Sequence, residues 1–388
     1  MGSITLSCQV LNPAPPAPDR IFEPLLRPVM PELNTVRGIA VLMVLLYHGF
    51  YWGMDLSKFA SAERLFLTAA WTGRLGVNLF FVLSGFLITG LLIDAKSRED
   101  YYKRFYIRRS LRILPAFLLT LVVLLAVRAA SLSFVLLSAA YLANLTPLFG
   151  VAIAYPVLWS LAVEEHFYLV WPAVVRKLSN RAIAAVCVSI VALSPLLRLI
   201  SFSLARRNGW VSYEIFDYTW NSADGLACGA LLAIFIREFK PSRKTFARML
   251  GLLLAVAMAI WIVGLPFGIF SRRLPVGAAL QIVPWNFGFV ALVGFSLLLG
   301  SGPSRRWSRS PTLEFFGEIS YGLYLYHLLF LNGLEWLNVH GFFANVHFPL
   351  FLGLWIRFGL LLGIAVPVAY VSRRYFEEPI MRLKDRWT

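Results

Sequence analysis

Apolar runs about as long as a bilayer is thick constrain this chain more than any other feature. A helix crossing the hydrocarbon needs about 17 to 25 mostly apolar residues. Ten such runs can be marked, at residues 36–53, 76–94, 113–130, 157–175, 182–200, 221–237, 248–265, 280–300, 315–335 and 350–372. With 59% hydrophobic and 14% charged residues, the chain lacks the polar side chains needed to cover a water-soluble fold. The expectation is an all-α polytopic membrane protein of about ten transmembrane helices. Residues 133–149, interrupted by Asn144 and Pro147, are expected to add one short re-entrant or outer-face helix.

The formal net charge of +16 suggests nucleic acid at first sight. Its distribution argues against that, because the Lys and Arg fall in short segments between apolar runs and no soluble basic domain is present. The basic segments are residues 96–112, 176–181, 237–248, 305–309 and the tail from Arg373. All lie on the cytoplasmic side, with both termini, if residues 133–149 do not cross. Arg198, Arg206, Arg207, Arg272 and Arg273 then fall outside, against the positive-inside rule. Residues 1–33 read as a flexible Pro-rich cytoplasmic tail without the pattern of a cleaved signal, residues 34–376 as one membrane domain, and residues 377–388 as a basic cytoplasmic tail lying on the inner surface. Cys8, Cys187 and Cys228 are scattered and have no metal-ligand spacing, so no metal is expected.

Ionisable groups inside membrane segments are costly and mark function. Arg37 and His48 are eleven residues apart in the first run. Helical geometry brings them to within about 20° of one face and separates them by roughly 16 Å along the axis. Arg37 sits at the cytoplasmic mouth, where it reads equally as a snorkelling anchor. His48 lies a little past mid-membrane. The fourth run carries Glu164, Glu165 and His166 about 10 to 12 Å below the outer face, near the depth of His48. Adjacent carboxylates on a helix point about 100° apart, so one of Glu164 and Glu165 can face His48 and orient its imidazole for general-base catalysis. His327 reaches mid-depth too, either as a packing residue or as part of the site. In the first basic segment, Arg109 and Arg112 share a face if helical, beside Arg108, and arginine suits bidentate phosphate contacts. A phosphate clamp at the inner mouth and a mid-membrane His fit a ligand with a charged head and a long reactive arm. Trp159, Tyr155 and Trp220 are available on the outer side to stack on sugar rings or to anchor at the interface.

These residues resemble the acyltransferase 3 family of integral membrane acyltransferases over nearly the whole chain. The resemblance is carried by Arg37 and His48, by Gly76–Thr89 (GVNLFFVLSGFLIT), and by Arg109-Ser110-Leu111-Arg112 with Pro115. It continues in Leu158–Leu169 (LWSLAVEEHFYL), Ile319–His327 (ISYGLYLYH) and Arg374–Pro379 (RYFEEP). Departures are Asn34 and His166, where an acidic residue and Gln are common, and Asn221-Ser222, which lack an Arg often found before the Asp that Asp224 resembles. The resemblance implies an acyl-CoA donor, usually acetyl-CoA, an envelope glycan or lipid-linked sugar as acceptor, and a bacterial inner membrane. Arg37, Arg108, Arg109 and Arg112 would hold the coenzyme A thioester. His48, with Glu164 or Glu165, would be the base or a transient acyl carrier. Asp224, Ser84 and His327 are further candidates, and Ser84-Gly85, Gly76 and Gly90 would allow close helix approach around the donor. The alternatives are an acyltransferase acting on a small molecule, and a transporter or flippase of a lipid-linked sugar. The latter would call for pseudo-symmetric halves, and no such repeat is evident.

Overall fold

The computed structural model describes residues 24–52, 54–208, 214–303, 306, 308–339 and 349–384. Among these residues every regular element is helical. The chain runs through α1 (Glu32–Leu46), prolonged by a π turn (Tyr47–Tyr51), then α2 (Ser61–Trp71), α3 (Gly76–Asp94) and α4 (Tyr101–Ala126). Next come α5 (Leu132–Ala139), α6 (Leu158–Lys177), α7 (Asn180–Arg207), α8 (Thr219–Ser222), α9 (Asp224–Phe239) and α10 (Arg243–Gly264). The last third holds α11 (Pro275–Leu280), α12 (Val283–Gly300), α13 (Pro311–Glu318), α14 (Ser320–Val339), α15 (Leu350–Val371) and α16 (Glu378–Arg382).

Seven helical stretches among the described residues are long and apolar enough to cross a membrane: Glu32–Tyr51, Ser61–Asp94, Tyr101–Ala126, Asn180–Arg207, Arg243–Phe267, Pro275–Gly300 and Leu350–Arg382. The other three expected spans are helical but less apolar or shorter. α9 has 16 residues, while α6 and α14 have 20 each and carry Glu, His, Tyr and Asn side chains. Interior helices tolerate such groups because they face protein and not lipid. Residues 133–149 form α5 and a 3-10 turn at Ala143–Phe149. Eight residues of helix extend only about 12 Å, too short to cross. The basic segment at 96–112 is not a loop, since α4 begins at Tyr101 and presents Arg104, Arg108, Arg109 and Arg112 on its first turns.

α1 lies at the centre, with Ala40, Val41, Val44 and Leu45 fully buried. It packs against α3, α12, α13 and α14. α3 and α9 make the closest long pairing. A Cβ at Gly85 would run into the Leu226 carbonyl, and one at Gly229 into the Val82 carbonyl. The two backbones therefore approach as small residues permit in membrane bundles.

The described parts of both expected tail segments pack against the helices. Leu25, Leu26 and Met30 pack on the core beside α1, and Glu32 is buried in an ion pair with Arg27. Residues 1–23 lie outside the described residues. At the other end Glu377 is buried and accepts a hydrogen bond from Ser372 Oγ at 2.9 Å. α16 then packs against α4, and residues 385–388 lie outside the described residues.

A buried ion pair ties α7 to α9. Arg198 on α7, which the charge count had placed on the outer side, is fully buried. Its Nη1 donates to Asp224 Oδ2 at 2.9 Å and to the Asn221 carbonyl at 2.9 Å, and its Nε to the Ala279 carbonyl at 3.0 Å. The arginine missing from the residues just before Asp224 is supplied from α7. Removing one partner of such a pair strands a buried charge and costs about 3–5 kcal/mol. Arg198→Ala should lower the melting temperature of the detergent-purified protein, and Arg198→Met combined with Asp224→Leu should recover part of the loss. Equal melting temperatures for wild type and Arg198→Ala would remove the pair from the fold's stability.

Candidate active site

The helical start of α4 determines one end of the molecule. Positions i, i+3 and i+4 share a helix face, so Arg108, Arg109 and Arg112 point into one cavity of about 820 Å³ together with Arg37 of α1. Among its described lining residues are eight arginines and Lys384, against one carboxylate, Asp94. Arg237 of α9 grips that carboxylate through Nε at 2.8 Å and Nη2 at 2.6 Å. Arg27 also pairs with Glu32, and Arg98 and Arg104 with Asp100, yet the funnel keeps an excess of positive charge of the kind that attracts anions.

The funnel narrows into a waist of about 110 Å³, and Arg37, Leu87, Arg109 and Arg112 line both. Arg37 Nη1 donates to Asn34 Oδ1 at 3.0 Å, so the amide at position 34 still serves the arginine where an acid is common in the family it resembles. In the waist Glu164 Oε1 accepts from Ser84 Oγ at 2.8 Å and Oε2 from Tyr168 OH at 3.2 Å. The Arg109 guanidinium lies 4.9 Å from the Tyr168 ring centre, a cation–π contact.

Beyond the waist is a second cavity of about 450 Å³, with Val77 and Tyr324 common to both linings. Tyr324 OH is 2.5 Å from Ser160 Oγ and donates to the Val157 carbonyl at 3.1 Å, which holds its ring at the boundary. His48 lines this outer cavity. It sits in the π turn that ends α1, a local widening of the helix frequent at functional sites. Its Nδ1 is 3.0 Å from the Val44 carbonyl and 3.2 Å from His327 Nε2. His327 is fully buried, and its Nδ1 lies 2.8 Å from the Tyr324 carbonyl and 3.2 Å from the Leu323 carbonyl.

Hydrogen-bond roles assign the tautomers. A carbonyl can only accept, so both Nδ1 atoms carry hydrogen. His327 Nε2 then accepts from His48 Nδ1–H, which leaves the lone pair of His48 on Nε2. A neutral imidazole held in one tautomer is the form a general base requires.

The site gathers most of the residues marked in the sequence but pairs them differently. Arg37, Arg108, Arg109 and Arg112 meet at the funnel, and Ser84 joins Glu164 at the waist. Neither Glu164 nor Glu165 bonds to His48. Glu164 is committed to Ser84 and Tyr168, and Glu165 Oε1 is buried without a hydrogen-bond partner. The partner of His48 is His327. His166 Nδ1 is held by Thr219 Oγ1 at 2.7 Å, and Asp224 belongs to the Arg198 pair. Of the aromatic residues, Trp159 lines the outer cavity, whereas Tyr155 is buried and donates to the Leu325 carbonyl at 2.6 Å. Tyr168 and Tyr324 were not singled out in the sequence. Tyr168, four residues after Glu164 on α6, was the one with a readable spacing. Among the described residues no group of three or more His, Cys, Asp or Glu side chains is placed to hold a metal ion.

The family of membrane acyltransferases described as the acyltransferase domain matches residues 30–374. The chain belongs to the acyltransferase 3 family. It is similar to the peptidoglycan O-acetyltransferase OatA of Listeria monocytogenes, with 28% identity over 336 residues covering 78% of this chain and 49% of that protein. A putative O-acetyltransferase of Staphylococcus aureus is 26% identical over 390 residues, covering 91% of this chain and 57% of that protein. The O-acetyltransferase OatA of Staphylococcus aureus is 24% identical over 389 residues, with the same coverage of 91% and 57%. The chain thus spans about half the length of the curated relatives it matches. No solved structure matches it.

The two cavities open toward opposite ends of the helices. In a chain with its three native cysteines replaced by serine, Leu87→Cys should react with an impermeant thiol reagent added on the side of the arginine funnel. Trp52→Cys should react only from the other side. Labelling of both from one side would contradict the arrangement.

Proposed function

We propose that the chain is an integral membrane O-acyltransferase that moves an acetyl group from coenzyme A, bound in the basic funnel, to a glycan hydroxyl in the outer cavity. The observation that carries this reading is the position of His48. Its unprotonated Nε2 belongs to the cavity beyond the waist, roughly 16 Å along α1 from Arg37 by helical rise, while the arginines assigned to the donor phosphates line the funnel and the entry of the waist. A donor with an anionic nucleotide head and an extended pantetheine arm fits that separation. The surplus of guanidinium groups at the funnel supports the phosphorylated head, and the family and its O-acetyltransferase relatives support acyl transfer. The positive-inside rule supports a funnel that faces the cytoplasm, and the bacterial sources of the relatives support a bacterial plasma membrane. The name of the Listeria relative supports a cell-wall type of glycan as acceptor.

In the proposed reaction Arg37, Arg109 and Arg112 bind the coenzyme A phosphates and upper pantetheine. The thioester carbonyl passes the Tyr324 boundary and stops beside His48. His48 Nε2 takes the proton of the acceptor hydroxyl as its oxygen attacks the carbonyl carbon. The tetrahedral centre then collapses with loss of the C–S bond, and His48 returns the proton to the departing thiolate. The products are the sugar ester and coenzyme A. The same Nε2 lone pair also permits a stepwise route through an acyl-imidazole. His327 is a positioning residue in both routes, because its Nε2 fixes the His48 tautomer and steadies the imidazolium. Glu164 balances the arginine charge at the waist and orders Ser84 and Tyr168.

Single substitutions separate these roles. His48→Ala should reduce transfer by about 10²–10⁴ with coenzyme A binding kept. His327→Gln should lower kcat without changing coenzyme A affinity. Arg109→Ala and Arg112→Ala should weaken coenzyme A binding by roughly 10-fold or more, as expected for a lost charge-assisted bond, and should discriminate poorly between coenzyme A and its 3′-dephospho form. Wild-type turnover in His48→Ala would exclude the histidine chemistry, and wild-type affinity in both arginine variants would exclude the clamp.

A further inference from the structure

The outer cavity carries positive charge that acyl transfer to a neutral hydroxyl does not use. Arg74, in the turn between α2 and α3, and Arg272, before α11, both line the cavity that holds His48. Both converge on one neutral amide. Gln281 Oε1 accepts from Arg74 Nη2 at 2.6 Å and from Arg272 Nε at 3.3 Å. Gln281 Nε2 donates to the Phe270 carbonyl at 2.5 Å, so the amide is oriented with its oxygen toward the two guanidinium groups. A cation–π contact holds each guanidinium as well. Arg74 lies 4.0 Å from the Trp71 ring centre and Arg272 4.7 Å from the Phe216 ring centre. Arg74 Nε is buried without a hydrogen-bond partner.

Against these two cations the described lining of the cavity offers a single carboxylate, Asp217. An amide oxygen satisfies hydrogen bonds but neutralises no charge. Two arginines held rigid, one with an unused donor, leave a net positive site facing the same space as His48. Arg272 is also one of the residues that contradict the positive-inside rule on this side, and an anionic ligand gives a reason for a cation to be kept there.

We infer that the acceptor glycan is anionic, with a carboxylate or phosphate group that docks on Arg74 and Arg272 while its reacting hydroxyl lies at His48. The inference rests on the outer cavity being the acceptor's site, as proposed above. Trp159 and Trp52, on the same lining, supply flat apolar faces for the sugar ring between the two points. A uronate-type sugar and a sugar phosphate, as in a lipid-linked precursor, present the same charge to the two arginines and are separated by experiment.

Binding without turnover tests this. The 388-residue chain in nanodiscs is titrated with three probes of equal length: the neutral trisaccharide of N-acetylglucosamine, its analogue with one glucuronate, and its 1-phosphate. Coenzyme A binding is measured on the same preparations. Wild type should bind one or both anionic probes at least about tenfold tighter than the neutral one, and the tighter probe identifies the carboxylate or the phosphate source. Arg74→Gln and Arg272→Gln should each abolish most of that preference while keeping wild-type coenzyme A affinity, which also reports intact folding. Equal binding of all three probes by wild type, or an undiminished preference in both variants, would overturn the inference. Loss of coenzyme A binding by wild type, with the preference and its arginine dependence intact, would refute the donor assignment and leave the anionic acceptor site standing.

Discussion

A charged or polar side chain held at membrane depth has to be surrounded by protein, and the arrangement of helices around α1 follows from that requirement. α1 carries Arg37 near one end and His48 at the other, with neither facing lipid. Its flanks are closed by α3, α12, α13 and α14, and the interdigitated Gly85 and Gly229 bring α9 hard against α3 behind them. α6 and α14, too polar to stand alone in hydrocarbon, contribute Glu164, Tyr168, Tyr324 and His327 to the interior. On the outside, α7, α10 and α15 expose large aliphatic side chains such as Leu196, Leu252 and Leu360. Polar interior and apolar rim together make a route along which a polar ligand arm can enter without meeting lipid.

The histidine pair gives the site its chemical direction. A carboxylate against His48 would have raised its basicity and brought a negative charge into the outer cavity. His327 fixes the same tautomer while remaining neutral, so the cavity keeps the positive balance set by Arg74 and Arg272. Glu164 is placed instead among the arginines of the waist, where a negative charge relieves their mutual repulsion. Glu164 is thus set beside the waist arginines, and in the proposed reaction the base works from a neutral imidazole.

Much of this was legible in the sequence, and for identifiable reasons. The apolar runs located the helices because a span has a fixed minimum length. The eleven-residue step from Arg37 to His48 ordered the two ends of the site because helical rise is regular up to Leu46. Arg109 and Arg112 fell on one face as their spacing implied. Tertiary pairing was not legible. Which residue meets His48 depends on how α14 packs against α1, and sequence depth alone brought Glu164, Glu165 and His327 equally close. Nor did the pattern reveal that Arg198 pairs with Asp224, since a partner on another helix leaves no local spacing. Tyr168 and Tyr324 were not singled out, because composition does not distinguish a tyrosine that lines a waist from any other aromatic residue of a membrane helix.

The central claim is that one acyl group crosses from the arginine side of the waist to the histidine side. Proteoliposomes with the chain in a single orientation, coenzyme A-linked [14C]acetate confined to the funnel side and an acceptor glycan confined to the other, measure this directly. Labelled ester should appear on the glycan in the opposite compartment, at a rate that disappears with His48→Ala. Ester formed as readily when both substrates share the funnel side, and none when they are separated, would contradict transfer through the waist.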